Sequence, residues 1–212
     1  MKKTWIMITS IIALILIVGV LAGPVLSDVE KPDYKVIKSE QNIEIRQYEP
    51  MIIAEVEVDG KREGAIGDGF RIIADYIFGN NTVKRDIAMT APVQQQESQK
   101  IAMTAPVQQQ STGRSWQISF VMPSKYSMES LPEPNNDRVR LKEILTKKFI
   151  VIDFSGTNSN ENVTKHENQL MNYIEANNLK ITGSPKYAFY NAPWTLPFMR
   201  RNEVMIEINQ QQ

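Results

Sequence analysis

The 212-residue chain contains no cysteine and a single histidine, His166. Without cysteine there is no disulfide framework, no thiolate zinc site, no thiol nucleophile and no lipid-modified N-terminal thiol, so stability must come from an apolar core. With one imidazole, any site that needs two is excluded, and every Ser-His or His-carboxylate mechanism would have to run through His166. Net charge is missing too: 24 Lys and Arg balance 24 Asp and Glu. That balance, with a pI of ≈ 6.6, removes the attraction on which non-specific nucleic-acid binding depends and argues against a nucleic-acid partner. An enzyme ranks last among the function classes, because so few groups remain for acid-base or nucleophilic work.

What is present begins with a long apolar run. Lys2 and Lys3 precede residues 5–26, interrupted only by Thr9, Ser10, Gly19, Gly23 and Pro24. Roughly twenty such residues, at about 1.5 Å each, span a hydrocarbon core of about 30 Å. The preferred reading is an uncleaved transmembrane helix over 1–27, with cleavage after Ser27 and secretion as the alternative. Lysines before the run and Asp28, Glu30 and Asp33 after it place the N-terminus in the cytoplasm and the remaining chain outside the cell membrane. Residues 28–33, with Pro32, read as a short tether; 34–208 is the domain and 209–212 a polar tail.

Within the domain, alternation marks strands at 43–48 and 54–59, with Pro50 at the turn between them. Ile66, Phe70, Ile73 and Ile77 then fall at helical spacing until Gly79-Asn80-Asn81. Further strand-like runs lie at 87–93, 101–107, 116–122, 139–144, 149–154, 187–190 and 203–208. A second helix fits 161–178, with Val163, Leu170, Met171 and Ile174 as its buried stripe. Two halves of like order predict a pseudo-symmetric α+β domain in which the strands form one curved sheet or open barrel with the helices packed outside. One ten-residue sequence, IAMTAPVQQQ, occurs at 87–96 and again at 101–110. Two adjacent strands, each running into Pro and a Gln tail, account for it.

Several stretches resemble one family. IEIRQY at 43–48, GFRIIADYIFG at 69–79, IAMTAPV at 87–93 and APWTLPFMRRNEV at 192–204 resemble, in order, segments of the SOUL heme-binding proteins, and the resemblance extends over roughly 34–208. It implies a pseudo-symmetric, distorted antiparallel β-barrel of duplicated halves flanked by two helices, and binding of heme or free porphyrin along the first helix near a loop of the second half. On that helix a second stripe, Gly67, Arg71, Ala74 and Phe78, lies about 90° from the first. Gly67 and Ala74 would admit a flat ring, Phe78 would stack on it and Arg71 would pair with a propionate. The plainer reading is that the small residues ease packing and Arg71 is a solvated charge.

The loop at 192–201 offers Trp194, Phe198 and Arg200 as a cover for such a ring. Alternatively it plugs the end of the barrel, with Arg200 or Arg201 paired to a structural carboxylate. His166 falls at the edge of its helix's buried stripe and reads as a surface residue, so any heme would have weak or absent axial ligation. Met89, Met103, Met171 and Met199 read as core filler. No metal cluster or phosphate loop emerges. The leading expectation is a membrane-anchored binding domain that sequesters or transfers a tetrapyrrole without covalent chemistry. The alternative is a cell-surface structural or protein-interaction domain that has lost the ligand, which a charge-lined pocket would favour. An effector-sensing domain is a third.

Overall fold

Alternating apolar residues become strands very nearly where the sequence places them. The computed structural model describes residues 29–83 and 98–209. The expected membrane helix over 1–27 and the first copy of the ten-residue repeat lie outside the described residues. Among the described residues no helix is long and apolar enough to cross a membrane.

The order is β1 (Tyr34–Glu40), β2 (Ile43–Tyr48), β3 (Met51–Asp59), α1 (Arg62–Ile77), β4 (Asn81–Thr82), β5 (Val107–Ser111), β6 (Ser115–Val121), β7 (Glu133–Pro134), β8 (Arg140–Ile144), β9 (Lys147–Phe154), α2 (Asn160–Ala176), β10 (Lys186–Phe189) and β11 (Asn202–Glu207). Nine strands form one antiparallel sheet, β1-β2-β9-β11-β10-β5-β6-β3-β8, while β4 pairs with β7 apart from it. Among the described residues the sheet curls into a half-barrel that stays open at β1 and β8, the curved sheet or open barrel that the element order predicts rather than a closed one. Exchanging β2-β3-α1-β5-β6 for β8-β9-α2-β10-β11 reproduces the strand order from β2 to β8, so a pseudo-two-fold axis passes between β5 and β10. The first strand of each half is bonded into the other half: β2 to β9, and β8 to β3.

Both helices cover one face. α1 packs Ala65, Ile73, Tyr76 and Ile77 onto Val56, Ile118 and Phe120, and α2 packs Val163, Leu170 and Ile174 onto Ile150, Ile152, Val204 and Ile206. Gly69 lets α1 approach the sheet, since a Cβ there would lie 2.4 Å from Ile118 Cγ1. Ile66 and Phe70, expected in the buried stripe, are half-buried at its margin. α1 ends at Gly79, whose φ of 124° suits glycine alone. α2 begins at Ser159, whose hydroxyl accepts the Asn162 N–H.

One expectation needs correction. The second repeat copy is not a strand through 101–107: Pro106 has no N–H for a ladder, and the strand starts at Val107 and runs through the glutamines. Residues 29–33, within the short tether, are hydrogen-bonded to the domain. The Ala105 and Ser124 N–H groups donate to the Glu30 carbonyl and carboxylate, and the Glu49 N–H donates to Asp33 O. β1 follows directly; its side chains are nearly all exposed, so no apolar alternation announces it.

Candidate functional site

The stripe on α1 splits in two. Gly67 faces open space, Arg71 is exposed and paired with Asp68 one turn back, and Phe78 is 57% exposed. Ala74 is buried instead. The outward face is thus glycine, guanidinium and phenyl ring, open to a flat ligand.

The β10–β11 loop is internally braced. Arg200 donates to the carbonyls of Pro193 and Thr195, the Gly156 N–H donates to Pro197 O, and Pro197–Met199 make a 3-10 turn. Thr195 is buried, while Trp194 and Phe198 are 70% and 71% exposed. These aromatics project outward and do not plug the sheet. Arg201, not Arg200, meets a structural carboxylate: Glu203. Among the described residues no hydrogen bond, ion pair or ring contact joins the α1 stripe to this loop.

His166 is half-buried, stacked on Phe154 at 4.0 Å between ring centroids, with Nδ1 2.7 Å from Asn162 O. That placement fixes the ring on its own helix. Met171 packs under α2, Met103 and Met199 are half-buried, and Met89 lies outside the described residues. Among the described residues no group of three acidic or imidazole side chains is arranged to hold a metal ion.

What sequence reasoning missed lies on the sheet face turned away from the helices. Glu203, Ala188, Gln108, Ser119 and Glu55 stand in register across five strands. Val151, Ala188 and Met205 are buried there although no helix covers them, so this is the inside of the curl. Glu203 accepts from Arg46 at 2.8 Å, from Arg201 at 2.6 and 3.0 Å, and from the Tyr190 hydroxyl at 2.7 Å. Arg46 also reaches Glu44 at 2.7 Å and lies 4.5 Å from the Tyr34 ring centroid. Burial is the largest influence and opposes the Arg46 charge, but Glu203 and Tyr48 together outweigh it and hold the guanidinium pKa above its ordinary value. Burial, then Glu203, pushes the Tyr48 hydroxyl up. Lys186 lies over Phe149 at 5.6 Å. Burial, then neighbouring Lys147, lowers its pKa to about 8 against the pull of Glu207 and Glu55. Alternation with polar residues was the available signal, but on a strand that pattern also describes a solvated face.

A cavity of about 290 Å³ opens between residues 30–33 and the ends of β3 and β6, floored by Met51, Ile52, Val121 and Met122. It sits at the bottom of the ~300–1,000 Å³ range of enclosed ligand sites.

A profile of the SOUL heme-binding protein family matches residues 29–207. The chain belongs to that family. The SOUL domain also shares its fold with solved structures. The C-terminal domain of EcmrR matches with a TM-score of 0.58 at 10% identity, covering 83% of this chain and 98% of that one. A hydrolase from Listeria innocua matches at 0.51 and 12%, covering 82% and 94%. An uncharacterized conserved protein from Listeria innocua matches at 0.51 and 13%, covering 80% and 93%. At such identities the likeness is one of fold. A search of curated protein sequences found no match to this SOUL domain.

Proposed function

We propose that this SOUL domain binds heme or a related tetrapyrrole non-covalently, for sequestration or transfer, and that residues 1–27 anchor it to the cell membrane with the domain outside. The observation that carries the ligand class is the family match over residues 29–207. The exposed face of α1 supports a location. Phe78 supplies an apolar ring surface, Gly67 leaves room above the helix, and Arg71 carries a solvent-facing guanidinium whose pairing with Asp68 is weak enough to exchange for a propionate.

The donor set fits the macrocycle better than an imidazole-ligated iron. His166 is held by its own helix and by Phe154, so recognition rests on ring faces and carboxylates, and porphyrin and heme should bind alike. When bound, the group would supply its own redox and ligand chemistry; the chain's residues would position and shield it.

The test is a titration of hemin and of protoporphyrin IX into the purified protein, following the main absorption band and tryptophan quenching. Saturable one-to-one binding at about 1 μM or tighter, near −8 kcal/mol, is expected. Arg71→Ala should weaken it by about 1–2 kcal/mol, and His166→Ala should leave the heme spectrum nearly unchanged. Binding no stronger than that of an unrelated anchored domain would end the ligand reading. The second reading, an interaction domain that has lost the tetrapyrrole, would then be the one to test.

A further inference from the structure

Exposed apolar side chains gather at one end of the central strands. Trp194, Leu196 and Phe198 stand exposed together on the β10–β11 loop. The loop is not exposed for want of partners. Its prolines, its 3-10 turn, the Arg200 bonds and the buried Thr195 hold the backbone down while the aromatics point away. A soluble surface seldom displays such a cluster without an occupant.

The N-terminal chain enters at the same end. Glu30 is tied to Ala105 and Ser124, which lie just beyond the ends of β5 and β6. Val29 packs on the cluster containing Ala105 and Tyr190, the residue from which the aromatic loop departs. Upstream in sequence is the apolar run of residues 5–26. Only Asp28 separates Ser27 from Val29, a reach of at most about 7 Å. Were that run the membrane anchor, this end of the domain would face the bilayer.

We propose that Trp194, Leu196 and Phe198 insert into the bilayer interface beside the N-terminal anchor, fixing the orientation of the domain on the membrane. The proposal rests on the anchor reading above. Tryptophan and phenylalanine suit the boundary between headgroups and acyl chains. The contact is apolar rather than electrostatic, because Arg200 is spent on loop carbonyls and Arg201 on Glu203. Uncharged phosphatidylcholine therefore suffices as the partner.

The cysteine-free chain makes the test direct. Phe198→Cys and, at the far end of β5, Arg114→Cys each give full-length protein one thiol for a nitroxide label. Both are placed in phosphatidylcholine vesicles, and collisions with oxygen are compared with collisions with a polar nickel chelate. A severalfold higher oxygen-to-nickel ratio at position 198 than at 114 is expected. Equal ratios in protein that floats with the vesicles would overturn the loop contact and leave the anchor standing. Protein that does not float would overturn both. Shielding of position 198 by added hemin without lipid would reassign the loop to the tetrapyrrole and overturn the proposal as well.

Discussion

Glu203 has no exposed surface, and its two oxygens accept from two guanidinium groups and a tyrosine hydroxyl. A carboxylate buried this way is stable only while its partners stay, since desolvation of each ion is recovered from the others. Glu203→Ala should cost about 3–5 kcal/mol, because Arg46 would be left buried without its main partner. Urea unfolding checks this, and replacing Arg46 and Glu203 together by apolar residues should cost less than the sum of the single changes. Lys186 makes a pH prediction. Its pKa is lowered to about 8 by burial and then Lys147, so between about pH 8 and the ordinary lysine value the unfolded chain binds a proton that the folded chain does not. Stability therefore rises as pH climbs through that window and the penalty is full below it. Above about pH 10 the buried Tyr48 and Tyr76, whose hydroxyl pKa values are raised chiefly by burial, reverse the trend. Urea midpoints against pH should show the rise, and Lys186→Met should flatten it. Neither residue could be singled out from sequence, because the register that assembles Arg46, Arg201 and Glu203 joins strands 157 positions apart.

Among elements, the helices were the most legible. Spacing gave α1 and α2 to within a turn at their C-terminal ends, with Gly79 and Asn177-Asn178 as the stops. Helical phase was less so: Ala74 is buried and Ile66 only half-buried, while the contact line runs along Ala65, Gly69, Ile73 and Tyr76. The glycines separate packing from propensity. Gly69→Ala should destabilise by about 1–3 kcal/mol through overpacking against Ile118, against an intrinsic helix gain of at most about 1 kcal/mol. Gly67→Ala, facing open space, should keep that gain. Thermal unfolding of the two variants decides between them, and weaker porphyrin binding by the stabilised Gly67→Ala would place the ring over α1. β1 and the β4–β7 pair escaped notice for a different reason: strands that are exposed or two residues long bury too little to leave a pattern.

For the whole molecule, the duplication was visible in element order, but the exchange of first strands was not. Pairing of β2 with β9 and of β8 with β3 is non-local, and no single stretch of sequence encodes it. The consequence for folding is that neither half completes its own sheet. A fragment of residues 29–145 would leave β2 without β9 and β5 without β10, and it should show no cooperative urea transition by circular dichroism where the full domain shows one.

Among the described residues, the curl that stops short of closure also leaves β1 and β8 with unpaired outer edges. Such edges invite copies of a chain to aggregate strand to strand. With acidic and basic residues equal in number, no long-range repulsion keeps the copies apart, so the task falls to local features. On β1 these are Lys35, Lys38 and the irregular register between Val36 and Lys38; on β8 they are Arg140, Lys142 and Glu143. Charges of this kind act over about 8 Å at physiological ionic strength and less in concentrated salt. The colloidal behaviour of the domain is thus governed at its two margins, and it should be least soluble where salt silences them.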